Sequence, residues 1–268
     1  MTDEQLGMEY SPEITDFLFS RRASRQAAFF LPYLRPGMTL LDAGCGPGSI
    51  TIDLADIVAP AQVIGVDIDE QHLRLATLYA RQRTVENVCF EPGDITRLAF
   101  PDESFDAVFI HGVLEYLDAE QAFSEIYRLL KPGGVVGARH GDCGGFLLSP
   151  VCPECIEGQE LFMKFLTRIG GDPYCGRNQF AALRKAGFKN LKVSASYDCW
   201  TESPEAARIT ANRFASQTVS PEYSGALVAM GLADMSRLEQ ISAAMRAWGE
   251  DENAFAAEAW GEAVAWKL

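Results

Sequence analysis

The stretch from Leu40 to Ser49, LLDAGCGPGS, constrains the fold of this 268-residue chain more than any other segment. A short apolar run is followed by an acidic residue and then by glycine at three alternate positions, Gly44, Gly46 and Gly48. Glycine adopts positive φ without strain and lets a ligand approach the bare backbone. The pattern therefore predicts a buried strand, a sharp turn and the start of a helix beside a nucleoside-type cofactor.

The glycine spacing distinguishes a dinucleotide cofactor from a cofactor with a positively charged group. Dinucleotide-binding proteins carry G-x-G-x-x-G, with the pyrophosphate at a helix N-terminus. This chain reads G-x-G-x-G, and Asp42 stands two residues before the first glycine. A carboxylate there repels a pyrophosphate and suits a ligand with an ammonium or sulfonium group. A nicotinamide dinucleotide is therefore disfavoured, and for the turn taken alone an ordinary tight connection remains the alternative.

Further predicted strands end in candidate ligand residues. The segment 61–69, AQVIGVDID, delivers Asp67, and the strand at 87–91 is followed by Asp94. A fourth strand, FDAVFI, leads to His111, and LLKPGGVVGA leads from a helix end into a fifth strand. Open α/β sheets bind ligands at the carboxyl ends of their strands. Helix capping explains any one of these aspartates alone, but explains the ordered set poorly.

The alternation of strand and helix patterns predicts an α/β Rossmann-like fold, a seven-stranded, mostly parallel sheet with helices on both faces, plus an α-helical cap. Helical spacing from Ile14 to Tyr33 precedes the sheet, and the fifth strand is predicted to end at His140. The predicted organisation is a helical extension over 1–37, a cofactor-binding domain over 38–200 with a lid inserted at about 140–176, a helical cap over 201–252 and a terminal strand over 253–268.

Composition limits the partners and the compartment. The formal net charge of −14 disfavours nucleic-acid binding, which depends on clustered lysine and arginine. No apolar run is long enough for a membrane span, and the first ten residues, MTDEQLGMEY, lack the basic and apolar regions of an export signal. We therefore expect a cytoplasmic protein that acts on a small molecule, with an oligomeric state that the sequence does not indicate.

The elements LLDAGCGPGSITIDLA, VIGVDID, FDAVFIHGVLEYL and RLLKPGGVV together resemble the class I S-adenosylmethionine-dependent methyltransferases, and among them the UbiE/COQ5-type small-molecule family. The similarity covers about residues 21–188. It implies S-adenosylmethionine as cofactor, S-adenosylhomocysteine as product, and methyl transfer to an oxygen, nitrogen, carbon or sulfur acceptor. The alternatives are a non-catalytic protein that binds this cofactor and an enzyme that uses it for other chemistry.

The resemblance also assigns the cofactor contacts. It implies that Asp67 holds the ribose, Asp94 the adenine amine, and Asp42 with the glycines the methionine portion. Arg21 or Arg25 is the counterpart of an arginine that reaches the cofactor's carboxylate in relatives. The predicted cofactor-binding residues are Arg21, Asp42, Gly44, Cys45, Gly46, Asp67, Ile68, Asp94, Ile95 and His111.

Catalysis of methyl transfer needs few side chains, because the sulfonium methyl is already activated and the protein mainly aligns the acceptor and excludes water. A general base helps if the acceptor is a hydroxyl or an acidic carbon. His111 and His140, at the ends of the fourth and fifth strands, are the candidate bases, whereas His72 lies on a predicted helix away from the site. A structural role is the alternative for His111. The candidate substrate contacts are Tyr10, Glu115, Tyr116, Tyr174 and Arg177.

The cysteines permit more than one interpretation. Seven cysteines and no export signal predict reduced thiols rather than a disulfide framework. His140, Cys143, Cys152 and Cys155 read H-x-x-C…C-x-x-C, which could hold zinc or a thiophilic ligand. Only one close pair is present, so no metal is predicted. A redox-responsive dithiol is a further alternative to incidental free thiols.

Overall fold

The structure of the chain is a computed structural model that describes residues 17–268. Seven strands form one sheet in the order β3-β2-β1-β4-β5-β7-β6. Neighbouring strands from β1 to β5 pair in parallel. The seven-stranded, mostly parallel Rossmann-like sheet predicted from the sequence is thereby confirmed. The strands are β1 (Leu40–Ala43), β2 (Val63–Asp67), β3 (Val88–Pro92), β4 (Phe105–His111), β5 (Leu130–Ser149), β6 (Lys189–Cys199) and β7 (Phe255–Trp266).

Helices connect these strands, and polar side chains begin several of them. The Asp69 carboxylate accepts a hydrogen bond from the N–H of Gln71, and the Asp118 carboxylate accepts from those of Glu120 and Gln121. The helices are α1 (Ala23–Gln26), α2 (Ser49–Val58), α3 (Glu70–Gln82), α4 (Ala119–Leu129), α5 (Pro153–Arg168), α6 (Cys175–Lys185), α7 (Pro204–Thr218), α8 (Pro221–Ala229) and α9 (Met235–Gly249). Short 3₁₀ turns span Leu31–Tyr33 and Leu114–Tyr116.

The described chain divides into two compact units. The sheet unit comprises residues 17–141, Tyr174–Ser196 and Trp260–Leu268, and the helical unit comprises Asp142–Pro173 and Tyr197–Ala259. The boundaries predicted from the sequence, with a lid over 140–176 and a cap over 201–252, stay a prediction.

Alternating side chains along the central strands build the core of the sheet unit on both faces. Leu41 and Val108 pack in one apolar cluster with residues of α4 and α6, whereas Leu40 and Phe109 pack in a second cluster with residues of α2. Phe30, which is fully buried, stacks on Phe109 with ring centroids 5.8 Å apart. Burial on both faces explains why these strands read as continuous apolar runs.

The helical unit has cores of its own. Leu161, Leu227, Leu238 and Ile241 form one buried cluster from α5, α8 and α9. A second cluster surrounds Trp248, whose indole N–H donates to the carbonyl oxygen of Pro150 at 3.1 Å. Among the described residues, no helix has the length and hydropathy needed to cross a bilayer.

Two elements differ from the sequence prediction. The predicted helix from Ile14 to Tyr33 is broken within its described part, because Arg22 is extended (φ −137°) and its guanidinium binds the carbonyl oxygens of Phe19 and Arg21. The fifth strand does not end at His140 but continues to Ser149. Its residues from Gly134 to Cys143 are buried, and such tertiary packing outweighs the low strand propensity of Gly141.

The state of the cysteines also differs from the sequence prediction. Cys152 and Cys155 form a disulfide, whereas the sequence favoured reduced thiols, with a redox-responsive dithiol as an alternative. Cys152 is the N-cap of α5 and Cys155 lies in its first turn, so their Cα atoms are only 5.2 Å apart. This spacing lies within the range that a disulfide requires. Cys45 and Cys89 are free thiols.

Candidate functional site

A pocket in the sheet unit opens at the carboxyl ends of β1 and β4. Six residues predicted from the sequence as cofactor contacts lie in its wall: Arg21, Asp42, Gly44, Cys45, Gly46 and His111. The remaining wall is formed by Leu18, Pro47, Ser49, Ile50 and Phe109. Residues from the segment before β1, the glycine turn and the end of β4 are thus brought to one place, as ligand sites in open α/β sheets require.

The glycine turn brings bare backbone to this pocket. Gly44, Gly46 and Gly48 all have positive φ, at 81°, 52° and 81°. A Cβ atom added to Gly44 would lie 2.3 Å from Cγ2 of Val113, so this position tolerates no side chain. A Cβ added to Gly46 would have no heavy atom within 4 Å. The Gly46 backbone therefore faces open space in the pocket wall, where a ligand can approach it.

Asp42 places a carboxyl group in the wall beneath the turn. It is only 3% exposed, and its Oδ2 accepts a hydrogen bond from the Thr51 hydroxyl of α2 at 2.6 Å. Burial raises the pKa of the Asp42 carboxyl, the Thr51 hydrogen bond lowers it, and the charge of Asp67 raises it, with a result of about 7. A cation that entered the pocket would stabilise the ionised form.

Arg21 supplies a positive charge to the same pocket. A Cβ atom added to Gly112 would lie 3.7 Å from its Nη1, which places the guanidinium beside the residue that follows β4. The guanidinium also stacks on Phe17, 5.0 Å from the ring centroid. A carboxyl group and a guanidinium in one pocket match the ammonium and the carboxylate of an α-amino acid. Arg25 does not line this pocket.

Asp67, at the end of β2, is joined to the turn by a hydrogen bond. Its Oδ2 accepts from the Gly46 N–H at 2.8 Å, and its Oδ1 accepts from the Asp69 N–H at 2.9 Å. A carboxylate has about four lone-pair sites, so each oxygen retains one for a ligand. The arrangement can accept hydrogen bonds from the two hydroxyls of a ribose. His72 was expected away from the site, but its Nδ1 lies 3.9 Å from Oδ1 of Asp67, because the first turn of α3 packs beside the end of β2.

His111 is held in one tautomer. Its Nδ1 lies 3.0 Å from the carbonyl oxygen of Arg139, which only accepts, so Nδ1 carries the proton and Nε2 is an acceptor. Among the described residues Nε2 has no hydrogen-bond partner, although it is buried. Burial lowers the pKa of His111 well below its usual value, and the charges of Arg21 and Arg139 lower it further. The pocket wall therefore contains a neutral imidazole with one unsatisfied acceptor.

His140, the second predicted base, lies elsewhere. Asp42 pairs with Phe109, and His111 pairs with Arg139, so these side chains share one face of the sheet. His140 is the next residue along β5 and points to the opposite face. There its Nδ1 lies 3.3 Å from Oε2 of Glu115, and both residues are buried. The structure separates the two predicted bases instead of bringing them together.

The other predicted contacts do not line the pocket. Ile68 is 54% exposed and follows Asp67 directly, whereas Ile95 is buried. Asp94 is exposed and accepts hydrogen bonds from the N–H and hydroxyl of Thr96. Of the predicted substrate contacts, Glu115 binds His140, Tyr116 ends a 3₁₀ turn, and Arg177 stacks on Tyr174 at the start of α6. Tyr10 lies outside the described residues.

A buried polar network next to His111 was not predicted from the sequence. Arg139 is 1% exposed and stacks on Trp260 at 4.3 Å, and the Trp260 ring lies 4.8 Å from that of His111. The Arg139 Nε donates to Glu262 Oε1 at 3.3 Å, and the hydroxyls of Ser194 and Ser196 donate to the same carboxylate. A charged residue inside the apolar string VVGARH was the available signal, since buried charges need partners.

No group of three or more histidine, cysteine, aspartate or glutamate side chains is arranged for a metal ion within residues 17–268. Cys152 and Cys155, which belong to the motif weighed as a zinc site, are bonded to each other.

Comparisons with known proteins agree with this geometry. A family model described as a methyltransferase domain matches residues 41–137. An uncharacterized methyltransferase of Schizosaccharomyces pombe is 30% identical over 235 residues, which cover 84% of this chain and 83% of that protein. The probable methyltransferase ltbC of Aspergillus luteorubrus is 36% identical over 140 residues, which span 48% of this chain but only 49% of that protein. Demethylmenaquinone methyltransferases are also among the similar proteins.

A solved structure shows the same fold. Phosphoethanolamine N-methyltransferase 2 of Haemonchus contortus, in complex with phosphomonomethylethanolamine and S-adenosylhomocysteine, superposes with a TM-score of 0.63. The superposition covers 100% of this chain and 61% of that one, at 18% identity. At this identity the likeness concerns the architecture alone.

Proposed function

Because the chain belongs to the class I S-adenosylmethionine-dependent methyltransferases, we propose that it transfers the methyl group of S-adenosylmethionine to a small-molecule acceptor. When bound, S-adenosylmethionine supplies a methyl group on a sulfonium centre, which becomes a neutral thioether when the methyl group leaves. The observation that carries the proposal is the pocket at the ends of β1 and β4, where Asp42, Arg21 and the glycine turn meet.

The residues of this pocket, together with those that follow β2 and β3, fit an amino acid joined to a nucleoside. Asp42 faces the ammonium group and Arg21 the carboxylate, while the open backbone at Gly46 allows close approach. The free lone pairs of Asp67 accept both ribose hydroxyls. Ile68, exposed and apolar, packs against the base, and Asp94 accepts from its amine. The thiol of Cys45 completes the pocket wall, and the buried Ile95 supports the base-binding side from the core.

His111 acts at the acceptor. Its Nε2 accepts a hydrogen bond from a protic group and thereby aligns the attacking atom with the methyl group. With its low pKa, His111 is a better hydrogen-bond acceptor than proton acceptor, so it suits an acceptor that ionises readily. The charge of the chain, −14, is consistent with a small-molecule acceptor rather than a nucleic acid.

The experiment is transfer of a labelled methyl group from S-adenosylmethionine to a panel of small acceptors that contain phenol, amine, thiol or activated carbon groups. We expect label in at least one class, with inhibition by S-adenosylhomocysteine and strong loss in Asp67→Ala. The matched control is Asp56→Asn, on the exposed side of α2. Tight binding of S-adenosylhomocysteine without labelling of the panel or of a metabolite extract would favour a binding protein or other chemistry. Absence of binding would overturn the proposal.

A further inference from the structure

The environment of Asp42 has three features that distinguish it from an ordinary carboxylate at a binding site. Asp42 is almost completely buried, it lies in the wall of the cofactor pocket, and among the described residues no lysine or arginine forms an ion pair with it. Burial of an uncompensated carboxylate is costly, and a protein avoids that cost by retaining the proton. A cation that binds in the pocket stabilises the ionised carboxylate, so the carboxyl group no longer needs to retain its proton.

We propose that Asp42 exchanges its proton for the ammonium group of the cofactor, so that cofactor binding expels one proton from the sheet unit. The inference rests on the proposed function, because it concerns the same pocket. The exchange is balanced: the O–H bond of the Asp42 carboxyl breaks, the proton leaves to solvent, and the carboxylate pairs with the ammonium group that enters. Asp42 thus acts as a proton-linked determinant of cofactor affinity.

The charged and titratable groups around Asp42 are consistent with this assignment. From β2, Asp67 repels the ionised carboxylate, and from the turn Cys45 keeps its proton, because burial raises the pKa of that thiol well above its usual value. From β4, His111 stays neutral, since burial lowers its pKa. Arg21 contributes a positive charge from the segment before β1. The pKa of Asp42, about 7, lies in the pH range in which binding would be measured.

Thr51 influences how readily Asp42 releases its proton. Its hydroxyl donates to Oδ2 of Asp42 at 2.6 Å and favours the ionised carboxylate, which lowers the pKa of Asp42. Removal of the hydroxyl with conservation of shape, as in Thr51→Val, should raise that pKa further. Thr51→Ser keeps the hydroxyl and is the matched control. These variants test the inference without removal of Asp42 itself.

The experiment is calorimetric titration of the full chain with S-adenosylhomocysteine, in buffer pairs with different ionisation enthalpies. From a pKa of about 7, we expect release of about 0.9 proton per cofactor at pH 6 and about 0.1 at pH 8. Affinity should fall about tenfold between pH 8 and pH 6, by the same linkage. Asp42→Asn should still bind, more weakly, and release no proton. Thr51→Val should release more protons than the wild type at pH 8, and Thr51→Ser should not.

The outcomes separate this inference from the proposed function. Binding without proton release at pH 6, or equal release in Asp42→Asn, would overturn the proton exchange and leave the cofactor site intact. No binding by the wild type in any buffer would overturn the proposed function and the inference with it. Binding to the wild type with proton release that disappears in Asp42→Asn would support both.

Discussion

The carboxylate of Asp67 accepts a hydrogen bond from the backbone N–H of Gly46 at 2.8 Å. Through this bond, the end of β2 holds the turn that follows β1, although the two residues are 21 positions apart. The other oxygen accepts from the N–H of Asp69, the residue that caps α3. One side chain therefore fixes two turns of the cofactor site and still has lone pairs to offer a ligand.

We predict that Asp67→Asn weakens binding of S-adenosylhomocysteine by about 100-fold, an effect of about 2–3 kcal/mol. An amide has one oxygen, so it cannot accept from both backbone N–H groups and from two ribose hydroxyls. Loss of one hydrogen bond should lower the free energy of unfolding by about 1 kcal/mol. Calorimetry and urea unfolding measure the two effects. Asp56→Asn, on the exposed side of α2, should change neither, and an unchanged affinity in Asp67→Asn would contradict the assignment.

We expect Gly44 to be needed for stability and Gly46 to be needed for cofactor affinity. In Gly44→Ala the new Cβ would lie 2.3 Å from Val113, at a φ of 81°, so we predict a loss of stability of roughly 2 kcal/mol or more. In Gly46→Ala the Cβ meets no protein atom and only the cost of a positive φ, about 1 kcal/mol, is expected. That Cβ projects into space a ligand needs, so affinity should fall instead. Urea unfolding and calorimetry of both variants compare them directly. An unchanged affinity in Gly46→Ala would show that the turn serves stability alone.

Much of this site was predictable, because its signals are local. The positions of Gly44, Gly46 and Asp42 follow from ten consecutive residues, and parallel strands necessarily bring their carboxyl ends to one edge. The same logic placed His111 in the pocket. The parallel pairing of strands β1 to β5 was expected from the alternation of strand and helix patterns, whereas their order in the sheet was not predicted.

The rest depends on contacts between distant segments, which one sequence does not reveal. Arg139 and Glu262 are 123 positions apart, and neither residue alone identifies the other. The alternation of side chains along β5 separates His140 from His111, but the prediction ended that strand at His140. Gly141, the next residue, favours a loop by propensity, and its burial in the sheet overrides that preference.

His111 should make the stability of the cofactor-free protein depend on pH. Its pKa is well below the usual value, so below pH of about 6.5 the unfolded chain binds a proton that the folded state does not. Its contribution to the free energy of unfolding is therefore present above that pH and is lost as the pH falls, by up to about 1.4 kcal/mol per pH unit. His111→Gln removes this dependence.

The titration of Asp42 changes the free energy of unfolding with pH in the opposite direction. Its pKa is raised from 3.8 to about 7, so its contribution is present at low pH and is lost as the pH rises through 7. The difference between wild type and His111→Gln, measured by urea unfolding from pH 5 to pH 8, isolates the histidine. A difference that does not change with pH would show that His111 titrates normally.

The Arg139–Glu262 pair should carry more stability than any surface ion pair of the sheet unit. Arg139 is 1% exposed and Glu262 is 7% exposed, so Glu262→Gln would remove a buried negative charge that pairs with the guanidinium. We predict a loss of about 3 kcal/mol in the free energy of unfolding. Ser194→Ala removes one hydrogen bond to the carboxylate and should cost about 1 kcal/mol. The control is Glu120→Gln, which breaks an exposed pair with Lys185 and should cost no more than about 0.5 kcal/mol.

Because Arg139 also holds His111 through its carbonyl oxygen and supports Trp260 through its guanidinium, Glu262→Gln should alter the tryptophan fluorescence of the folded protein as well. Equal stability losses in Glu262→Gln and Glu120→Gln, measured by urea unfolding, would show that the buried pair is no stronger than the exposed one.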